Sequence, residues 1–199
     1  MRNSNFIFIP GMYGMVGSSL YRYLTKKNKY FLHSRHVDFL NKSLLHDILK
    51  TTKIEKVFLC AAKVGGIEAN SKYPLTFLNK NIVLIQNLIH ELYNNNCNNL
   101  IYFGSSCIFP KKAPQPMKEI YLFKGLLEPT NEAYSLAKLI GLKLCEYYKK
   151  QLGVDYNTVI PSSLFGRGDN YNLKFAHVIP SVLKKIYVHK ISNLNSFYV

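Results

Sequence analysis

Tyr134 and Lys138 stand four residues apart in a stretch patterned as a helix, which places them on one face about one turn apart. An ammonium beside a phenol favours the phenolate and lowers its pKa, making such a tyrosine a usable proton donor near neutral pH. Ser105 follows the apolar run Leu100–Phe103 and Gly104, and a hydroxyl there can hydrogen-bond a carbonyl oxygen as it becomes an alkoxide. Together the three side chains compose a site for carbonyl reduction. Cys107, in the string SSCIFP, leaves two readings open: a small buried hydrophobe or a reactive thiol. His177 is equally open, as a satisfied polar residue ahead of a helix or as an acid–base group.

Apolar runs and helical periodicities define the elements that must hold these groups. Asn5–Ile9 predicts a buried strand, followed by a glycine-rich turn and a helix through about Lys27. Further strands are predicted at Tyr30–Leu32, Val57–Ala62, Leu100–Phe103 and Asp155–Ile160, with helical periodicity over Leu78–Tyr93 and Ala133–Gln151. Asn94–Asn96 reads as a short polar loop, and no internal repeat is present. Strands alternating with helices, and lacking polar alternation within the strands, predict an α/β fold: a Rossmann-type doubly wound parallel sheet covered on both faces. The expected organisation is a dinucleotide-binding domain over residues 1–160 and the start of a smaller substrate domain over 161–199. In such sheets ligands bind beyond the carboxyl ends of the strands, where Ser105 and Cys107 lie.

Gly11, Gly14 and Gly17, with Met15 and Val16 between the last two, form G-x-x-G-x-x-G between the first strand and its helix. Glycines there permit a tight turn and close approach to a pyrophosphate, which the free N–H groups and dipole of the helix N-terminus favour. After the second strand, where an acidic residue would meet a free ribose 2′-hydroxyl, the chain offers His33-Ser34-Arg35-His36. A guanidinium suits a 2′-phosphate instead, which points to NADP(H) over NAD.

A chain of 199 residues, 48% of them hydrophobic, can bury one sizeable core. The formal charge of +15 is spread along the chain and favours an anionic substrate or cofactor; no aromatic RNA-binding pattern or recognition helix accompanies it, so no nucleic acid is expected. Cysteines at 60, 97, 107 and 145 lack C-x-x-C spacing, so free thiols in a reducing, cytoplasmic setting are the expectation, with no metal site. Glycines interrupt the apolar run Phe6–Leu20, which is therefore not read as a targeting segment. No stretch has the apolar length of a membrane span.

The glycine turn, the strand-end serine and Y-x-x-x-K resemble the extended short-chain dehydrogenase/reductases. The strings AAKVGGIEAN (61–70), GSSCIFP (104–110), LEPTNEAYSLAK (127–138) and HVIP (177–180) resemble, more narrowly, the GDP-L-fucose synthase branch of that family. The resemblance implies NADPH-dependent 3,5-epimerisation and 4-reduction of GDP-4-keto-6-deoxy-D-mannose to GDP-L-fucose by a homodimer. It implies that Ser105, Tyr134 and Lys138 form the reductive triad and that Cys107 and His177 serve the two epimerisations. It also implies cofactor contacts from Ala62, Lys63, Pro161, Ser163 and Leu164, the last three after a sixth strand, with Ser105, Tyr134, Lys138 and His177 also at the cofactor. Lys185 falls where the family has a basic residue facing the substrate diphosphate. Tyr13 departs from the family's usual arginine, Ser163 from an asparagine and Gly166-Arg167-Gly168 from a Gly-Pro turn. The chain is also shorter than family members. Two alternatives follow: a cofactor-binding remnant without efficient turnover, or another nucleotide-sugar epimerase/reductase.

Overall fold

The computed structural model describes residues 5–33, 35, 37–173 and 176–192. Its strands are β1 (Phe6–Phe8), β2 (Tyr30–Leu32), β3 (Ile54–Leu59), β4 (Asn99–Phe103) and β5 (Asp155–Val159). They form one parallel sheet in the order β2-β1-β3-β4-β5. The chain winds outward from β1 to β2 and then crosses back to β3, so the strand order reverses beside β1. A crevice at the carboxyl ends of the strands follows from that reversal.

The helices are α1 (Met15–Thr25), α2 (Lys42–Lys50), α3 (Ile67–Lys72), α4 (Pro74–Asn94), α5 (Glu132–Leu152) and α6 (Val178–Ile191). Local chemistry sets several of their ends. The Asn41 side chain accepts from the Leu44 N–H at 3.1 Å and caps α2. Pro74 opens α4, where a missing N–H costs nothing. Gly153 ends α5 in the left-handed conformation, φ 72°.

One face of the sheet packs Phe8, Val57, Leu59, Leu100, Tyr102 and Tyr156 against Leu45 and Leu49 of α2, Ile85, Leu88, Ile89 and Leu92 of α4, and Cys145 of α5. Gly141 lets α5 lie close to the sheet, because a Cβ there would stand 2.4 Å from Cζ of Tyr102. On the other face, Ile7, Ile9 and Met12 pack with Leu20, Tyr21 and Leu24 of α1. Coverage of this second face is less complete than the apolar runs predict. Asp155, Asn157 and Val159 of β5 are exposed while Tyr156 is buried, so β5 does alternate. A third cluster, Ile108, Phe109 and Leu139, lies under the loop carrying Tyr121, Leu122 and Leu127. Among the described residues no helix is long and apolar enough to cross a membrane.

Candidate functional site

A cleft of about 450 Å³ opens at the carboxyl ends of the strands. Met15 and Val16, the first residues of α1, form one side. Gly104, Ser105 and Cys107 enter it from the end of β4, and Asn131 and Tyr134 from the start of α5. Pro161, Ser163 and Leu164 follow β5, and His177 caps α6. Residues scattered over more than 160 positions of sequence thus meet at one cavity, as the motif reading requires. The segment at 161–164 follows the fifth described strand, not a sixth, because the sheet continues directly from β4 to β5.

Beyond β4 the chain enters a single 3-10 turn, Ser106–Ile108. The Ser105 Oγ accepts from the Cys107 N–H at 3.3 Å, which fixes the serine beside the thiol. Ile108 and Phe109 are buried immediately after, and they anchor the turn while Cys107 remains at the cleft. Lys138 lies beneath the cavity at 2% exposure. Its ammonium donates to the Phe103 carbonyl at 2.8 Å and stands 5.9 Å from the Tyr134 ring centroid.

The electrostatics correct one expectation. The net shift of Tyr134 is upward, not downward: burial holds the phenol well above the usual tyrosine range, Cys107 adds in the same direction, and a hydrogen bond with Ser105 opposes them. The ammonium directs its hydrogen bond to the β4 backbone and not to the phenol. Tyr134 is therefore protonated at neutral pH, the form that a proton donor requires. Burial also lowers Lys138 from 10.5 to about 8, with Cys60 acting against the shift. Burial pushes the Cys60 thiol up to about 12, opposed by Lys138.

The depressed Lys138 pKa makes its protonation a cost to the folded state. That cost is full below about pH 8, is relieved as the pH rises toward 10.5, and is absent above. The stability of a Lys138→Met chain relative to the parent should therefore fall across that window by up to about 3 kcal/mol. Denaturant melts of both chains at a series of pH values check this. A difference that stays constant with pH contradicts it.

The glycine turn fits a dinucleotide. Gly11 has φ +87°, and Gly11 and Gly17 are required by the chain's own packing: a Cβ on Gly11 would stand 2.7 Å from the Ala61 nitrogen, and one on Gly17 2.2 Å from the Gly11 carbonyl oxygen. Gly14 differs, since a Cβ there would meet only that same oxygen at 3.4 Å, an ordinary contact. The bare face at Gly14 leaves room for a ligand's approach. No side chain caps α1, and the amides of Met15, Val16 and Gly17 have no acceptor within the helix. A pyrophosphate would meet these donors.

A second hollow, of about 540 Å³, lies against α1 and is lined by Met12, Tyr13, Ser18, Tyr21, Arg22, His33 and Arg35. Arg35 is thus placed near the adenosine end that the motif implies. Sequence reasoning missed Arg22, although its spacing four residues beyond Ser18 puts both on one helix face.

Not every expected contact reaches the main cleft. Ala62 and Lys63 do not line it; Val64, Gly65, Gly66, Ile67 and Asn70 do. Asn81, fully buried on α4, accepts from the Lys63 N–H at 2.7 Å and donates to its carbonyl at 3.0 Å. With its backbone held there, the Lys63 side chain extends over the Phe77 ring, 5.6 Å from its centroid. Asn70 donates to the Gly65 and Gly66 carbonyls at 2.7 and 3.1 Å and shapes the loop that takes Lys63's place. Lys185 is on α6 but does not line the cleft, and its carbonyl accepts from His189 at 3.0 Å.

The sequence model of the NAD dependent epimerase/dehydratase family matches residues 7–197. The GDP-L-fucose synthase of Escherichia coli (strain K12) is 45% identical over 184 residues, which are 91% of this chain and 57% of that protein. The GDP-L-colitose synthase of Yersinia pseudotuberculosis is 37% identical over 183 residues, covering 90% of this chain and 59% of that one. A crystal structure of a GDP-D-glycero-L-gluco-heptose synthase from Campylobacter jejuni, in the presence of NADPH, superposes with a TM-score of 0.85 at 29% identity. That match covers 98% of this chain and 62% of the other. The chain therefore spans less than two thirds of the length of these relatives.

Proposed function

Because the chain belongs to the NAD dependent epimerase/dehydratase family, we propose that it converts GDP-4-keto-6-deoxy-D-mannose to GDP-L-fucose by 3,5-epimerisation and NADPH-dependent 4-reduction. The observation that carries this reading is the convergence of Ser105, Cys107, Tyr134 and His177 on one cleft, beside the free N-terminus of α1. The glycine turn would hold the pyrophosphate, with Pro161, Ser163 and Leu164 at the other wall. When bound, NADPH supplies the hydride that reduces C4.

Protons at C3 and C5 are acidic because they lie alpha to the C4 ketone. A base on one face removes each as an enolate forms, and an acid on the other face returns a proton with inversion. Cys107 and His177 are the acid–base groups at the cleft suited to these exchanges, which leave the substrate's composition unchanged. Reduction then adds a hydride to C4 and a proton from Tyr134 to the C4 oxygen, and solvent restores the tyrosine proton. Ser105 hydrogen-bonds the oxygen as its charge develops. Lys138, fixed to the Phe103 carbonyl, holds the start of α5 against β4 and so orients Tyr134. The protein's whole activity, the homodimer and a cytoplasmic setting belong to the same proposal, as does the division into a cofactor domain over 1–160 and a substrate region beyond.

The test is incubation with GDP-4-keto-6-deoxy-D-mannose and NADPH, followed by chromatography for GDP-L-fucose. Oxidation of NADPH without inversion at C3 and C5 rejects the roles of Cys107 and His177 but spares the triad. Cys107→Ser should abolish inversion while leaving NADPH affinity unchanged, as measured by fluorescence titration. A second reading, cofactor binding without efficient turnover, is favoured by the exposed Leu183, Ile186, Tyr187 and Ile191 of α6. Remote binding energy aligns the reacting centre, so weak contacts to distant parts of the substrate would lower rate as well as affinity. NADPH binding with no product would support that reading. The range of sugars named for the relatives supports a third, a different GDP-sugar, which a panel of 4-keto substrates would reveal.

A further inference from the structure

We propose that Arg22, which no motif assigns, is the second guanidinium of a clamp that selects a nucleotide carrying a 2′-phosphate. The inference rests on the dinucleotide reading above and names the residue that decides cofactor specificity within it. Among the described residues, the hollow beside α1 is walled by two arginines, Arg22 and Arg35, and by no carboxylate. Two like charges facing one cavity without a counter-charge repel each other, and a dianion between them relieves that repulsion. Guanidinium forks match the oxygens of a phosphate monoester in geometry as well as charge.

Both side chains are braced. Arg22 Nη1 donates to Ser18 Oγ at 3.2 Å, and Ser18 Oγ donates in turn to the Met15 carbonyl at 3.2 Å. The serine proton is committed to the helix backbone, so its oxygen serves as the acceptor that holds Arg22. One of the arginine's five N–H donors is used in this brace. Arg35 lies over the Tyr13 ring, 4.9 Å from its centroid, a cation–π contact that fixes the guanidinium's position and leaves its edge donors for a ligand. Tyr13 supplies a platform for Arg35 while Arg22 supplies the second charge. Ser18 and Tyr13 are positioning residues in this arrangement; the two arginines make the contact.

The test uses the full chain and paired probes, 2′,5′-ADP against 5′-AMP and NADPH against NADH, with affinities from calorimetry. The parent should bind the 2′-phosphorylated member of each pair more tightly. Arg22→Gln should lose roughly tenfold or more of that affinity and leave 5′-AMP and NADH unchanged. Arg22→Lys, which keeps the charge without the fork, should retain part of the preference, and circular dichroism confirms that both variants are folded. If the parent prefers 2′,5′-ADP and Arg22→Gln prefers it equally, the role of Arg22 is overturned while the dinucleotide reading stands. If the parent binds neither NADPH nor 2′,5′-ADP, the dinucleotide reading itself fails.

Discussion

A Tyr134→Phe chain should reduce its substrate roughly 10² to 10⁴ times more slowly than the parent, the range expected when a general acid is removed, with NADPH affinity unchanged. The substitution keeps the ring and removes only the proton-bearing oxygen. Burial keeps that phenol protonated, and Ser105 is its hydrogen-bond partner, so no other change is required to explain the loss. Ser105 remains held through its contact with the Cys107 N–H, and the cleft should keep its shape. Single-turnover loss of reduced-nicotinamide absorbance measures the effect. A phenylalanine variant that reduces at the parent rate sinks the triad assignment, whatever the fate of the epimerisations.

Gly17→Ala should destabilise the fold by about 3 kcal/mol or more, the upper range for overpacking. The added methyl would meet the Gly11 oxygen at 2.2 Å, the Gly11 carbonyl carbon at 2.7 Å and the Met12 Cα at 2.7 Å. Every one of these atoms is backbone, so no rotamer change relieves the contact. The informative companion is Gly14→Ala, whose methyl meets only an ordinary contact. Its stability should stay within about 1 kcal/mol of the parent, while its NADPH affinity falls because the methyl occupies the bare face of the turn. Denaturant melts and calorimetric titration separate the two effects. Equal stability of both variants contradicts the packing explanation for Gly17, and undiminished NADPH binding by Gly14→Ala contradicts the placement of the pyrophosphate.

Apolar runs made the central strands legible, because strands covered on both faces carry near-continuous hydrophobic sequence, whereas β5, exposed at Asp155, Asn157 and Val159, alternates. Tyr30–Leu32 coincides with β2, and the helical spacing at Leu78–Tyr93 and Ala133–Gln151 falls within α4 and α5. Tyr134, Lys138 and Ser105 were legible for a related reason: spacing along a helix and position at a strand end depend on local geometry. α2 was not read from the sequence. It is short, and its start depends on the Asn41 cap. The positions of Lys63 and Arg22 depend on contacts that local pattern does not encode. Asn81, 18 residues away, holds the Lys63 backbone, and the hollow containing Arg22 exists only when α1 and the end of β2 are side by side. Spacing alone does not give the direction of the Tyr134 pKa shift, because burial of the phenol dominates it although the Lys138 ammonium stands 5.9 Å from its ring. Lys138 is engaged with a backbone carbonyl on another element.

If a single cleft performs both proton exchange and hydride transfer, the hydrogens of the product record the two steps separately. GDP-4-keto-6-deoxy-D-mannose and unlabelled NADPH should be incubated with the chain in deuterium oxide, and the product returned to ordinary water and analysed by NMR. Solvent deuterium at C3 and C5, with protium from the cofactor at C4, is the predicted pattern. Reduction at C4 with protium retained at C3 and C5 would contradict the epimerase half of the proposal, and solvent deuterium at C4 would contradict hydride transfer.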